Sequence, residues 1–243
     1  MTNTTKTTTS GQAASVTWTP SIGEMQKAFA SPILLDKELY LARKARTGNR
    51  YPGQRNYHGR TYMASTGEHL WCESLTERRF LLALDYAQTV VAIAAQPMTM
   101  HFTDGTTHFP DFVALHADQR QVVYNVKPAK YFSETVLKQF KNAADLCDLV
   151  GWSHVVAKEF DTPEMKNIEW LANFRSHLLA PSAALRDDLL GFARTARTVG
   201  ELTGNVSAKQ NVVPAILHLA WTRDIDLDMS FPISTSTLIR KAL

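Results

Sequence analysis

Two short stretches near the middle of the chain, residues 108–113 and 121–127, have the pattern of strands, and along 121–127 Asn125 and Lys127 fall on one face and Val122, Tyr124 and Val126 on the other. Alternation with a period of two is typical of β-strands. The polar segment 118–120 separates the two stretches, as a hairpin turn would. The pattern therefore predicts a β-hairpin in which Asn125 and Lys127 share one face of the second strand.

Apolar residues at helical spacing predict two helices around this hairpin. The first covers residues 68–84 and carries Glu77 on its apolar stripe. A carboxylate there is costly unless it is paired or binds a metal ion, and Glu73, one turn earlier, is a competing candidate or a plain surface residue. The second helix begins after Ser133 as N-cap and ends at Gly151.

With a last strand at 154–160, residues 65–160 predict a mixed α/β sheet flanked by helices. The stretch 161–243 predicts a separate set of helices followed by two small strands. The helices cover 168–179, 182–196, 199–202 and 207–223 (regular from Val212), and the strands cover 225–231 and 235–240. This order is typical of a winged helix, with a plain helical appendage as the alternative. Its third helix is poor in Lys and Arg, which favours contact with protein over base reading.

Positive charge is concentrated at the start of the chain, although the net charge is only +3. Residues 1–62 hold nine Lys or Arg against three acids, and the remainder holds 17 against 20. We expect a flexible basic arm, without regular structure at 1–18 and with a short helix at 20–29. A basic arm on a near-neutral body is typical of double-stranded DNA binding, and a solubilising tail is the alternative. The candidate DNA contacts are Arg46, Arg50, Arg55, Arg60, Lys130, Lys138 and Lys141.

The hairpin also carries a possible catalytic constellation. Asp111 follows a proline in the first strand, and Lys127 stands two residues after Asn125 in the second. An acid, then Pro-Asp, then a polar residue two before a lysine is the skeleton of a restriction-type nuclease site. Such a site holds Mg²⁺, with Mn²⁺ as an alternative, through oxygen ligands. Asp111 would be the central ligand, with the Asn125 side chain and the Val126 carbonyl as further oxygens, and Lys127 would orient water or neutralise the phosphate.

Four segments together resemble the TnsA family, the endonuclease subunits of heteromeric cut-and-paste transposases with a restriction-type PD-(D/E)xK core. They are residues 77–86, 90–97, 110–112 and 125–128. The resemblance covers about residues 65–160 and implies that Glu77 is the helix acid and metal ligand, Asp111 the central ligand and Lys127 the catalytic lysine. Asn125 falls where the family has Gln or an acid, and Gln96 matches a structural or site-supporting position.

The resemblance implies an enzyme that nicks DNA at transposon ends. Its partners would be an integrase-like transposase of TnsB type and an AAA ATPase regulator of TnsC type. A second hypothesis is a catalytically weak or inactive subunit that keeps the fold and binds DNA and protein. A stand-alone repair or restriction nuclease is a more distant third.

Other classes are disfavoured by the sequence. There is no apolar run near the roughly 18 residues of a membrane span and no Gly-rich phosphate loop, and the Thr-rich first residues do not have the apolar stretch expected of a secretory signal. Two separated cysteines, Cys72 and Cys147, suit a reducing cytoplasm, and the histidines lack zinc-ligand spacing. The predicted organisation is an arm at 1–62, a restriction-endonuclease-like core at 63–160 and a winged-helix-like domain at 161–243.

Overall fold

The structure, a computed structural model, describes four stretches of the chain: residues 13–45, 58–158, 160–206 and 212–242. The chain divides into two compact units, each assembled from two separate segments. Unit one comprises Met1–Gln54 and Val91–Ala157, and unit two comprises Arg55–Val90 and Lys158–Leu243. The protein is of mixed α/β class, as the sequence predicts.

Within the described residues the chain forms twelve strands and six α-helices. The strands are β1 (Ser15–Trp18), β2 (Gln26–Phe29), β3 (Gly59–Met63), β4 (Glu68–Cys72), β5 (Val90–Ala95), β6 (Met98–His101), β7 (Thr107–His108), β8 (Phe112–His116), β9 (Gln121–Val126), β10 (Ser153–Ala157), β11 (Ile225–Leu227) and β12 (Ile239–Ala242). The helices are α1 (Leu75–Ala87), α2 (Glu134–Val150), α3 (Pro163–Leu171), α4 (Ala183–Ala193), α5 (Val199–Asn205) and α6 (Val212–Trp221).

Two four-stranded sheets and α2 share one core in unit one. The first sheet has the order β2-β1-β6-β7 and is antiparallel. The second has the order β10-β9-β8-β5, with β8 antiparallel and β10 parallel to β9. Val16 and Met100 of the first sheet, Val123 of the second and Leu146 of α2 are buried in the same cluster. This mixed sheet fixes the backbone that carries Asp111 and Asn125.

The predicted hairpin and second helix are confirmed. In β8–β9, Phe112 pairs with Tyr124 and Leu115 with Gln121, and the His116 N–H donates to the Arg120 carbonyl to close the turn. Ser133 caps α2, because its side chain accepts from the Val136 N–H, and Gly151 ends the helix with φ +94°. A left-handed conformation at that position is readily adopted by glycine.

Unit two combines α1 with the C-terminal helices. Leu82 and Tyr86 of α1 lie in one buried cluster with Leu171, Leu189 and Trp221. The β3–β4 pair is antiparallel, as is the β11–β12 pair. α4, α5, α6 and then two small strands follow in the order that the sequence predicts.

Several predicted element bounds are wrong. Residues 68–72 form strand β4 and not the first turn of a helix, because they pair antiparallel with β3, and α1 begins only after Ser74. The segment predicted as a helix at 168–179 is α3, which begins at Pro163 and ends at Leu171, followed by 3₁₀ turns. Pro163 stands in the first turn of α3, where a missing N–H does no harm.

The first segment of the chain also departs from the expected arm. Ser15–Trp18 is a strand with Val16 fully buried, and Gln26–Phe29 is a strand and not a helix. Leu34 and Leu39 are buried in the core of unit one. Residues 13–45 therefore carry regular structure and core side chains. Among the described helices, none is both long and apolar enough to cross a membrane.

Candidate active site

The hairpin places the Asp111 carboxylate at the end of β9. Asp111 directly precedes β8, and its N–H donates to the Tyr124 carbonyl at 3.0 Å. Its Oδ2 accepts the backbone N–H of Val126 at 2.7 Å. The carboxylate is therefore fixed at Val126, the residue directly before Lys127. The sequence predicts that these two strands lie side by side in this way.

Lys127 directly follows the last residue of β9. Its N–H donates to the Ala157 carbonyl at 2.9 Å, which anchors its backbone to β10. The side chain is half-buried and has no hydrogen bond or ion pair with a residue in the described part of the chain. An ammonium group at this place is available to a phosphate.

Asn125 is held between two histidines inside unit one. It is 2% exposed, its Nδ2 donates to Nε2 of His108 at 2.6 Å, and its Oδ1 accepts from Nε2–H of His154 at 2.9 Å. The oxygen predicted as a metal ligand already accepts one hydrogen bond, and both ends of the amide are in use. Asn125 thus links β9 to β7 and β10 through side chains.

Burial determines the charge state of these histidines. It lowers the pKa of His108 from 6.5 to about 4, and it also lowers the pKa of His154. Both rings are therefore neutral near neutral pH, which fits one ring accepting from Asn125 and the other donating to it. Sequence reasoning missed both histidines as partners of Asn125. The available signal was their position on strands next to a polar residue that faces inward.

Gln96 lies beside Asp111 through its backbone. Its N–H donates to the Asp111 carbonyl at 2.8 Å, and its own carbonyl accepts from the Ala45 N–H at 2.8 Å. The residue has φ +47° and is 5% exposed. Its Oε1 is buried, and no described residue donates a hydrogen bond to it. The predicted site-supporting residue is thus a direct neighbour of the central acid.

Glu77 stands in the first turn of α1, in unit two, and is 9% exposed. Its Oε1 accepts from the Ser74 hydroxyl and its Oε2 from the Glu73 N–H, both at 2.8 Å, while the Glu77 N–H donates to Ser74 Oγ at 3.1 Å. This is a capping box. The Ser-x-x-Glu spacing at 74–77 is the sequence signal for such a cap. Sequence reasoning missed this signal and placed Glu77 on the apolar stripe of the helix.

The predicted DNA-contacting lysines lie on the surface, mostly beside acids. Lys138 pairs with Asp104 at 2.9 Å, which with Thr106 holds the pKa of Asp104 well below its usual range, and Lys141 pairs with Asp145 at 2.6 Å. Lys130 lies over the ring of Tyr131. Arg60 is exposed on β3. The remaining candidates, Arg46, Arg50 and Arg55, lie outside the described residues.

The Asp111 carboxylate is of the chemical type that a divalent metal ion such as Mg²⁺ binds. The described residues contain no group of three or more His, Cys, Asp or Glu side chains suited to hold a metal ion. Mg²⁺ usually binds one or two carboxylates and completes its shell with waters and substrate phosphates. The fixed Asp111 carboxylate can supply one such ligand.

No protein-family model matches the chain, and no curated protein matches its sequence.

Proposed function

We propose that this chain is a Mg²⁺-dependent DNA endonuclease that nicks DNA at transposon ends as a subunit of a heteromeric transposase. The observation that carries the proposal is the Asp111 carboxylate held by the Val126 N–H, one residue before Lys127. The finer fold assignment, a restriction-type core followed by a winged-helix-like domain, belongs to this proposal. So do the TnsB-type and TnsC-type partners and action in the cytoplasm.

The residues of unit one have separate tasks in this reaction. Asp111, fixed by the Val126 N–H, would hold the metal, which when bound stabilises charge on the attacked phosphate and activates water. Lys127 neutralises phosphate charge at the same end of β9. The Asn125 side chain positions β9 through His108 and His154. Glu77 stays a predicted ligand from the family resemblance.

A second candidate function is a DNA- and protein-binding subunit that keeps this fold without efficient catalysis. The saturated amide of Asn125 favours it, because the nuclease pattern expects an oxygen ligand at that position. Both functions share the same fold and partners. They differ in whether Asp111 supports phosphodiester hydrolysis.

The test is nicking of DNA that carries the cognate transposon ends, with Mg²⁺ or Mn²⁺ and the partner proteins present. Asp111→Asn keeps an oxygen to accept the Val126 N–H and removes the charge. We expect the nicking rate to fall at least ~10²-fold, as loss of a metal ligand predicts.

The matched control is Asp118→Asn, in the exposed turn of the same hairpin, where the carboxylate binds Arg120. This control should nick at the wild-type rate. Equal rates for Asp111→Asn and wild type would refute the endonuclease. Wild-type protein that binds end DNA but gives no nicks with either metal would support the binding subunit.

A further inference from the structure

Gln96 carries an unsatisfied acceptor in the interior of unit one. Its Oε1 is buried and accepts no hydrogen bond from any described residue. Leaving a buried acceptor unsatisfied costs about 1–3 kcal/mol. Such groups in native structures call for an explanation, often an ion or a catalytic role.

The backbone of the same residue is also in a costly conformation. Gln96 has φ +47°, in the left-handed region that glycine adopts freely and other residues adopt at about 1–2 kcal/mol. Its two backbone hydrogen bonds, to Asp111 and from Ala45, hold it there. Strain of this kind clusters at functional sites when the surrounding structure enforces it. Here the enforcing contact is Asp111 itself.

The Asn125 amide, on β9, differs from that of Gln96 in its hydrogen bonding. Both polar ends of its amide have partners, His108 and His154, and its environment is satisfied. Of these two amides, Asn125 therefore has its hydrogen-bonding groups in use, and Gln96 has an oxygen without a partner among the described residues. Amide oxygens are ordinary ligands of hard divalent cations.

We propose that Gln96 Oε1 is the amide oxygen that binds the divalent cation beside Asp111, in place of Asn125. This inference rests on the proposed metal-dependent function and names a ligand for it. A bound cation gives the buried oxygen its missing partner, and the backbone hydrogen bond from Gln96 ties this residue to Asp111.

Direct Mn²⁺ binding to the full-length protein tests the proposal without any nicking assay. Free Mn²⁺ is measured by its electron paramagnetic resonance signal, and the melting temperature is recorded with and without the ion. Gln96→Met keeps an unbranched side chain of similar length and removes the amide. We expect affinity for Mn²⁺ to fall by about tenfold or more, with an unchanged or higher melting temperature in metal-free protein, because an unsatisfied oxygen is gone.

Gln96→Glu is the second variant, and it covers the case in which Gln96→Met folds poorly. A carboxylate at the same place adds charge to the ligand, so Mn²⁺ should bind more tightly than in wild type. Gln119→Met is the matched control. Gln119 also has a positive φ, +67°, but it is exposed in the β8–β9 turn, and its loss should leave Mn²⁺ affinity unchanged.

The outcomes separate this inference from the proposed function. Wild-type affinity that depends on Asp111 but is unaltered in both Gln96 variants overturns the Gln96 assignment alone. Wild-type protein whose Mn²⁺ binding is unaffected by Asp111→Asn overturns both. Weaker binding in Gln96→Met or tighter binding in Gln96→Glu, with Gln119→Met unchanged, supports Gln96 as a ligand.

Discussion

The hydrogen-bonded residues His108, Asn125 and His154 predict that unit one loses stability in mild acid. The perturbation is protonation of His108, whose Nε2 must be unprotonated to accept from Asn125 at 2.6 Å. Burial lowers its pKa from 6.5 to about 4. The unfolded chain therefore binds a proton at higher pH than the folded chain. Stability is fully present above the unfolded value and is lost as pH falls through the window between the two values.

The magnitude follows from these two pKa values. The full shift corresponds to about 3 kcal/mol, and the part lost between about pH 7.5 and about pH 5 is about 2 kcal/mol. Below about pH 4 both states are protonated and the effect levels off. His154 acts in the same direction, because burial also lowers its pKa. Relative to a typical stability of about 5–15 kcal/mol, the loss is large enough to measure.

The assay is urea unfolding, monitored by hydrogen exchange in peptides from β9 and α2. These peptides report on unit one directly. Other groups titrate over the same range, so the variant His108→Gln isolates the contribution of His108. Its amide oxygen can accept from Asn125 but does not titrate. We expect the free energy of unfolding of this variant to change by about 2 kcal/mol less than that of wild type over the same window.

The control is His177→Gln, at an exposed histidine of unit two, which should follow the wild-type curve. If His108→Gln and wild type show the same pH dependence, His108 is not held neutral by burial. The chain of hydrogen bonds through Asn125 would then be incorrect. A wild-type protein that gains stability toward acid would contradict the sign of the argument.

Three further predictions concern the remaining assigned residues. Asn125→Asp should raise the pKa of both neighbouring histidines in the folded protein, which makes the acid loss measured above smaller, without tightening Mn²⁺ binding; tighter binding would restore Asn125 as the ligand. Glu77→Gln keeps an acceptor for the helix cap, so this variant should melt near the wild-type temperature and yet nick DNA slowly. Ser74→Ala should lose about 1 kcal/mol of stability and nick DNA at the normal rate. Normal nicking by both variants would leave Glu77 with a role in the cap only. Replacing three arginines with glutamine should reduce the dependence of DNA affinity on salt, and an unchanged slope in binding titrations would remove them from the interface; these residues are Arg46, Arg50 and Arg55.

Local pattern was sufficient to predict the hairpin and α2. A short apolar run predicts the strand 121–126, and a Ser cap with a terminal Gly predicts the helix ends, because both signals depend on neighbouring residues alone. The same rules are wrong at 68–72, where the helical spacing of the following residues predicts helix and the chain forms strand β4. The Ser-x-x-Glu cap at 74–77 marks the true boundary and could have corrected that reading.

The surroundings of the candidate site were beyond local pattern. Asn125 meets His108 and His154 only because β7 and β10 come from distant parts of the chain. The positive φ of Gln96 likewise accompanies a hydrogen bond to Asp111, 15 residues later in the sequence. A residue type can indicate which chemistry is possible, but tertiary contacts decide which of its atoms are already in use.

The contrast between Asn125 and Gln96 makes a general argument about where the site lies. A satisfied buried network stabilises a fold, and its loss is measured as lost stability. A buried acceptor without a partner, on a strained backbone, does the reverse in the metal-free protein, so a fold that retains it bears a cost of a few kcal/mol. That cost is present at the residue bonded to Asp111 and is absent at Asn125. Stability measured without metal and affinity measured with it should therefore move in opposite directions in Gln96→Met, whereas a change at Asn125 should alter stability alone.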